Sequence, residues 1–138
     1  MSAIEIRPLT AAIGAEVRGI DLRTPIDAAE VEAMRCALRD HLVLFFREQD
    51  ISPEQHLAFA RHFGSISIGP FGPKHPDFRE ITVLDQVTPK GEGADSWHTD
   101  NTFMREPPFG SILRAVKLPP LGGDTCFPTM YAAYEALS

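Results

Sequence analysis

Hydrophobic and polar residues alternate in two short stretches near the start of the chain and then recur at helical spacing. Residues 4–7 and 15–17 alternate as half-buried strands do. A helix is predicted from Asp27 to about Asp40, because Asp27 and the glutamate three positions later form a capping box ahead of an apolar face. Residues 42–46 are continuously apolar, which is typical of a strand buried on both sides.

The second half of the chain predicts a helix, a loop and several short strands. A helix is expected from Ser52 to Gly64, since Ser52 is followed by proline at the first helical position and glutamine at the third. Glycine and proline across residues 69–76 indicate a loop. Strands are predicted at residues 81–84, 97–100, 110–116 and 124–127, and a helix at 132–137. Because domains seldom end so early in a helix, we expect an N-terminal piece of a longer protein.

Composition narrows the classes of protein that fit. The 138 residues are 43% hydrophobic and carry a formal charge of −6, so the chain can bury a core and lacks the basic surface of a nucleic-acid binder. Cys36 and Cys126 stand apart and are expected to be buried, small hydrophobic residues rather than metal ligands or a disulfide. No signal peptide or membrane-length apolar run is visible. We therefore expect a soluble, cytoplasmic protein without a membrane or nucleic-acid partner.

The most informative short motif is the Trp-His-Thr-Asp stretch at residues 97–100. On an extended strand His98 and Asp100 point to the same side, while Thr99 points to the other. A histidine and a carboxylate from one strand, with a third ligand from elsewhere, form the facial triad of non-haem iron oxygenases. A histidine and an aspartate two residues apart also occur by chance. Such a pair is more commonly a surface histidine beside an aspartate than a metal site.

Further motifs along the chain help to interpret the pair of His98 and Asp100. They follow one order along the chain: residues 13–17, 19–22, 41–47, 58–64, 97–100 with Phe103, 107–108, 122–125 and 132–137. From about Ile4 to Ser138 the chain resembles the N-terminal half of the taurine dioxygenase family. That family comprises Fe(II)- and 2-oxoglutarate-dependent oxygenases, including taurine, alkylsulfate and phenoxyacetate herbicide dioxygenases.

The resemblance implies a fold that is mainly β, with peripheral helices. Its core is a double-stranded β-helix, the cupin-like jelly roll, which would be incomplete in this chain. Residues 1–138 would form the N-terminal portion of a single dioxygenase domain. Within it, about residues 1–64 would be peripheral elements, and about residues 81–138 would begin the jelly-roll core.

The resemblance also implies roles for individual residues. His98 and Asp100 fall on the first two iron ligands, and Thr125 on a threonine that helps to hold a carboxylate of 2-oxoglutarate. Candidates for the substrate pocket are Trp97, Asn101 and Phe103. The implied reaction uses O2 to hydroxylate a small organic substrate while 2-oxoglutarate is decarboxylated to succinate and CO2. Thr125 as an ordinary strand residue and the aromatic residues as part of the core remain open alternatives.

Two parts of the family's site have no counterpart in this sequence. No histidine follows His98, and the family's third ligand and its arginine for 2-oxoglutarate would lie beyond Ser138. We therefore expect little or no turnover by these 138 residues alone. One alternative is a truncated, non-catalytic relative that acts as a binding or interaction piece, and another is a metal-dependent hydrolase using Asp124 beside the same pair. The family is commonly oligomeric, so a homo-oligomer is possible.

The loop after the Phe-Gly pair predicts a substrate other than taurine. In taurine dioxygenase a histidine and a tyrosine of this loop, and an asparagine before the Trp-His pair, help to bind taurine. Here Gly69, Gly72 and Ala94 occupy those positions, and nothing nearby in the sequence offers equivalent hydrogen bonds. The glycines are expected to leave room for a bulkier or less polar molecule. Lys74 and His75 are candidates to meet an anion, although a lysine in a loop is commonly only solvated.

Overall fold

The elements of the fold are concentrated in the first half of the chain. The structure is a computed structural model that describes residues 4–84 and 96–137. In these ranges the chain forms, in order, β1 (Glu5–Pro8), β2 (Ala15–Arg18), α1 (Ala28–His41), β3 (Leu44–Phe46), α2 (Pro53–Arg61) and α3 (Met130–Glu135). It divides into a first unit, Met1–Phe63 with Lys117–Ser138, and a second unit, Gly64–Val116. All six elements belong to the first unit.

The three strands form one sheet in the order β1-β2-β3. β1 pairs antiparallel with β2, and β2 pairs parallel with β3, with α1 as the crossover between them. Both predicted N-terminal strands are confirmed. The third begins only at Leu44, because Leu42 ends α1 in the left-handed conformation with a φ of 65°. The prediction that this strand is buried on both sides is wrong, since its residues are half-buried at the sheet edge.

Both predicted helix starts are confirmed. The Asp27 carboxylate accepts from the Glu30 backbone N–H at 2.8 Å, and the Glu30 carboxylate accepts from the Asp27 N–H at 2.9 Å. Ser52 and Gln55 form the same reciprocal pair at the start of α2. α2 ends at Arg61, three residues before the predicted end.

The core of the first unit lies where α1 and α2 meet the sheet and its loops. Its buried residues are Val17, Leu22, Met34, Ile51 and Phe59. Met34 has no exposed surface, and Phe59 packs edge-on against Phe46 with 5.2 Å between ring centroids. This cluster supplies the hydrophobic burial that holds the unit together.

The predicted strands at 81–84, 97–100, 110–116 and 124–127 are not formed. Among the described residues after α2, strand pairing is limited to one antiparallel bridge between Lys74 and Thr82. A strand needs a hydrogen-bonded neighbour, and no other described segment of this half supplies one. The helix predicted at 132–137 begins earlier, at Met130, because the Thr129 hydroxyl accepts from the Tyr131 N–H at 3.3 Å.

The structure also bears on the burial of the two cysteines and on membrane-spanning helices. Cys36 is half-buried and Cys126 exposed, so the prediction that both are buried is wrong. The Cys36 thiol lies 3.0 Å from the Arg39 guanidinium, which explains its place at the polar side of α1. None of the helices in the described ranges has the length and hydrophobicity needed to cross a bilayer.

Gln49 joins two loops of the first unit, a role that sequence patterns did not indicate. Its side-chain oxygen accepts from the Leu22 N–H at 2.9 Å, and its amide nitrogen donates to the Ile20 and Arg47 carbonyls at 3.2 and 3.0 Å. Gln49→Ala is expected to lower the free energy of unfolding of the complete protein by about 1–3 kcal/mol, because it leaves these partly buried groups unpaired. Chemical denaturation measures this. Gln49→Glu keeps the acceptor but places a carboxylate oxygen against the Ile20 and Arg47 carbonyls, so it should also lower the free energy of unfolding at neutral pH. Wild-type stability in Gln49→Ala would contradict the assignment.

Asp21 provides a pH-dependent contact in the same loop. The Arg23 guanidinium donates to both carboxylate oxygens, at 2.8 and 2.7 Å, and these bonds lower the pKa of Asp21 from its ordinary 3.8 to about 2. Because the pKa is lowered on folding, the stabilisation is complete above the ordinary value and is lost as the pH falls toward 2. A carboxyl NMR titration should show this midpoint, and Arg23→Ala should raise it toward 3.8. A wild-type midpoint already near 3.8 would contradict the contact.

Candidate functional site

His98 and Asp100 lie side by side in an irregular segment of the second unit, directly before a turn that begins at Asn101. The predicted strand is absent, yet His98 Nε2 lies 3.2 Å from Asp100 Oδ1. Asn101, with a φ of 53°, reverses the chain directly after Asp100, and its carbonyl accepts from the Met104 N–H at 3.0 Å. Asparagine is among the residues that tolerate this backbone conformation best. The expected closeness of the two side chains is thus present although the predicted strand is not formed, and their role as metal ligands stays a prediction.

The hydrogen bond on the other side of the His98 ring determines which nitrogen donates in the neutral imidazole. His98 Nδ1 lies 2.8 Å from the Ser96 backbone carbonyl, which can only accept, so Nδ1 carries the proton. In the neutral imidazole Nε2 then presents its lone pair to Asp100. A backbone carbonyl on the non-ligating nitrogen is the arrangement that orients metal-binding histidines in proteins.

The pair fits a divalent metal ion. A neutral Nε2 and a carboxylate oxygen are both acceptors, and at 3.2 Å they repel unless a proton or a cation lies between them. Nitrogen and oxygen ligands at about 2.1 Å from a metal and at right angles to each other lie about 3 Å apart. Both side chains are accessible, with His98 49% and Asp100 63% exposed. The residues that the structure describes bring no group of three possible metal ligands together.

Of the three predicted pocket residues beside this pair, Trp97 and Phe103 are exposed and Asn101 is half-buried. Trp97 is 72% and Phe103 70% exposed, and the Phe103 ring lies 6.0 Å from the Phe71 ring. The aromatic residues are therefore surface groups here rather than core. Their role as pocket walls stays a prediction.

The glycine-rich loop of the second unit is closed by Lys74. Its ammonium donates to the Phe71 carbonyl at 2.7 Å and to the Thr82 hydroxyl at 2.8 Å. Gly72 has a φ of 76°, and a Cβ there would lie 2.9 Å from Thr82 Cγ2. The expectation that this glycine leaves room for a ligand is wrong, because Thr82 fills the space. Gly69 differs, since its Cβ would make ordinary contacts at 3.6 Å or more.

Three other residues named from the sequence have separate outcomes. His75 is held within the loop, its N–H donating to the Ile81 carbonyl at 2.8 Å and its Nδ1 accepting from the Asp77 N–H at 3.2 Å. Ala94 lies outside the described residues. Thr125 belongs to the first unit, in an exposed segment that follows two glycines of positive φ. The proposed roles of Thr125 and Ala94 are therefore not tested by this geometry.

Comparison with known proteins places the chain among oxygenases. The family model "Taurine catabolism dioxygenase TauD, TfdA family" matches residues 5–138. An alpha-ketoglutarate-dependent sulfate ester dioxygenase of Pseudomonas putida is 40% identical over 97% of this chain and 44% of its own length. An alpha-ketoglutarate-dependent 2,4-dichlorophenoxyacetate dioxygenase of Cupriavidus pinatubonensis is 33% identical over 98% of this chain and 53% of its own length.

A solved structure supports the same relationship. The crystal structure of a taurine dioxygenase from Burkholderia xenovorans is 41% identical, with a TM-score of 0.76 over 86% of this chain and 42% of that one. The chain thus spans about half the length of the relatives it matches. The resemblance seen in the sequence motifs is confirmed, and the chain belongs to the taurine catabolism dioxygenase TauD/TfdA family.

Proposed function

We propose that the complete protein is an Fe(II)- and 2-oxoglutarate-dependent dioxygenase that hydroxylates a small organic substrate. One observation carries this proposal: His98 Nε2 and Asp100 Oδ1 converge at 3.2 Å while the Ser96 carbonyl holds the proton on Nδ1. The names of the relatives, alpha-ketoglutarate-dependent dioxygenases, support it. For the complete protein we also propose the jelly-roll fold, supported by the likeness to the Burkholderia structure.

His98 and Asp100 would hold the iron through Nε2 and Oδ1. Bound iron supplies the activation of O2 that couples decarboxylation of 2-oxoglutarate to hydroxylation of a C–H bond. Ser96 keeps the imidazole in its ligating tautomer, and the Asp100 carboxylate lowers the net charge of the bound cation. Since the described residues gather two such ligands, we propose that full activity needs a third from elsewhere in the protein.

Four further residues have proposed roles. We propose that the Thr125 hydroxyl donates to a carboxylate oxygen of 2-oxoglutarate, which holds the anion without adding a charge. Trp97 and Phe103 would exclude water from the substrate, for which their exposed rings are available. Asn101 would act mainly through its backbone, by setting the direction of the chain after Asp100.

The substrate is proposed to be an organic anion other than taurine. The two named relatives act on sulfate esters and on a phenoxyacetate, each an anionic group attached to an apolar body. Gly69 and Gly72 stand where the resemblance to taurine dioxygenase implies a histidine and a tyrosine that help to bind taurine. A substrate of the relatives' kind needs apolar contacts and a single cationic partner instead.

The test is an assay of the purified complete protein with Fe(II), 2-oxoglutarate and O2. We expect succinate release that hexyl sulfate or phenoxyacetate stimulates and taurine does not, with one hydroxylated product per succinate. Iron and 2-oxoglutarate binding without any succinate would instead favour the non-catalytic relative. Product formation in the absence of O2 and 2-oxoglutarate would favour a hydrolase.

A further inference from the structure

We propose that Thr99 and Thr102 are positioning residues for the candidate iron ligands, an inference that rests on the proposed function. The two hydroxyl oxygens lie 2.9 Å apart, so one donates a hydrogen bond to the other. Thr99 stands between His98 and Asp100 in the sequence. Thr102 follows Asp100 by two residues, so the bond between the threonines closes a short loop in which Asp100 lies.

This short loop also contains the least common backbone conformation of the segment. Asn101 has a φ of 53°, in the left-handed region, and its carbonyl accepts from the Met104 N–H at 3.0 Å. A left-handed backbone in a residue other than glycine persists where surrounding contacts hold it. The bond between the two threonines spans Asn101 and is one such contact. It therefore holds the direction of the chain on both sides of Asp100.

The two candidate ligands are positioned by different contacts. The Ser96 carbonyl accepts from His98 Nδ1 at 2.8 Å and orients the imidazole from the side that precedes the pair. Among the residues that the structure describes, the side-chain contact of the Asp100 carboxylate is with His98 Nε2, at 3.2 Å. The place of the carboxylate therefore depends on the backbone that carries it, which the bond between Thr99 and Thr102 restrains.

A restraint on this backbone favours metal binding. A metal ion needs both donor atoms at the coordination distance and angle at the same time. A carboxylate already held beside the imidazole loses less conformational freedom on binding than one on a freely moving segment. Because Thr99 and Thr102 are exposed, water competes for their hydroxyls and the expected effect is modest. The competing explanation is that the bond shapes the turn at Asn101 without any effect on the metal.

The experiment measures the affinity of the complete protein for Co(II), without O2 and without 2-oxoglutarate, from the absorption of the bound ion. Thr99→Val and Thr102→Val each remove one hydroxyl and keep the branched shape of the side chain. We expect each to weaken Co(II) binding by about 2- to 10-fold, the range for one hydrogen bond. Because both substitutions remove the same bond, the double variant should bind Co(II) no more weakly than either single variant.

Conservative variants and a control in the first unit complete the series. Thr99→Ser and Thr102→Ser keep the hydroxyl and should restore the wild-type affinity for Co(II). The Thr10 hydroxyl also closes a local turn, since it accepts from the Ile13 N–H at 3.0 Å and donates to the Ile13 carbonyl at 2.6 Å. Thr10 belongs to the first unit, so Thr10→Val should leave the affinity for Co(II) unchanged.

The outcomes separate this proposal from the proposed function. Wild-type Co(II) affinity in both valine variants would overturn the positioning role, and so would additive losses in the double variant, which would show two unrelated effects. Co(II) binding by the wild type that does not depend on His98 and Asp100 would overturn both proposals. Weakened Co(II) binding in the valine variants, with no succinate released by the wild type, would support the positioning role and contradict the dioxygenase.

Discussion

Replacing His98 or Asp100 by alanine abolishes iron-dependent succinate release by the complete protein. Changing residues around metal ligands commonly costs 10- to 100-fold in affinity or activity, and removing a ligand should exceed that range, so we expect a loss greater than about 100-fold. The cause is direct: the 3.2 Å pair between Nε2 and Oδ1 is the part of the site that the described residues supply. Titration with Co(II), followed by its absorption spectrum, should show weakened metal binding in the same variants.

Matched controls separate loss of a ligand from loss of the fold. His62→Ala removes a histidine at the end of α2, in the first unit, and Cys36→Ser alters a half-buried thiol on α1. Both should retain activity. Asp100→Asn keeps the size and an oxygen ligand while losing the charge, so its metal affinity should lie between those of the wild type and Asp100→Ala. Retained turnover in Asp100→Ala would refute the ligand role.

Met34→Ala lowers the free energy of unfolding by about 2–5 kcal/mol. Met34 is completely buried between α1 and its neighbours, in contact with the cluster that includes Val17 and Phe59. Truncation removes buried surface and leaves a cavity that neighbouring side chains only partly fill. Urea denaturation of wild type and variant measures the difference.

Met130 offers the same substitution at an exposed position. It is 67% exposed at the start of α3, so Met130→Ala should change the free energy of unfolding by no more than about 0.5 kcal/mol. An equal effect of the two substitutions would show that the core does not centre on Met34. The comparison is independent of iron and substrate, and thus tests the fold alone.

Local signals made the first half of the chain predictable. The starts of α1 and α2 follow from side chains three residues apart, Asp27 with Glu30 and Ser52 with Gln55, whose hydrogen bonds form within one turn. The start of β3 at Leu44 could not be predicted from the sequence, because leucine rarely adopts the left-handed conformation that Leu42 has. Its position depends on the parallel pairing with β2, which is a long-range contact.

The structure of the second half of the chain depends on contacts that cannot be predicted from a local sequence pattern. Its predicted strands need partners that the described residues do not provide, and residues 97–99 are irregular, directly ahead of the turn that begins at Asn101. The closeness of His98 and Asp100 was predictable, because two residues at a spacing of two lie near each other whether or not a strand forms. The contact between Lys74 and Thr82 was missed, since it joins residues eight apart across a glycine-rich loop.

The placement of the core also bears on the order in which the protein forms during synthesis. Every buried residue of the core cluster, and all three strands, lie within the first 63 residues. At about 5–20 residues per second, a ribosome needs several further seconds to reach the candidate iron ligands. The residues of the hydrophobic cluster around Met34 are therefore synthesised before His98 and Asp100, whereas the first unit is complete only after Lys117–Ser138 has followed them.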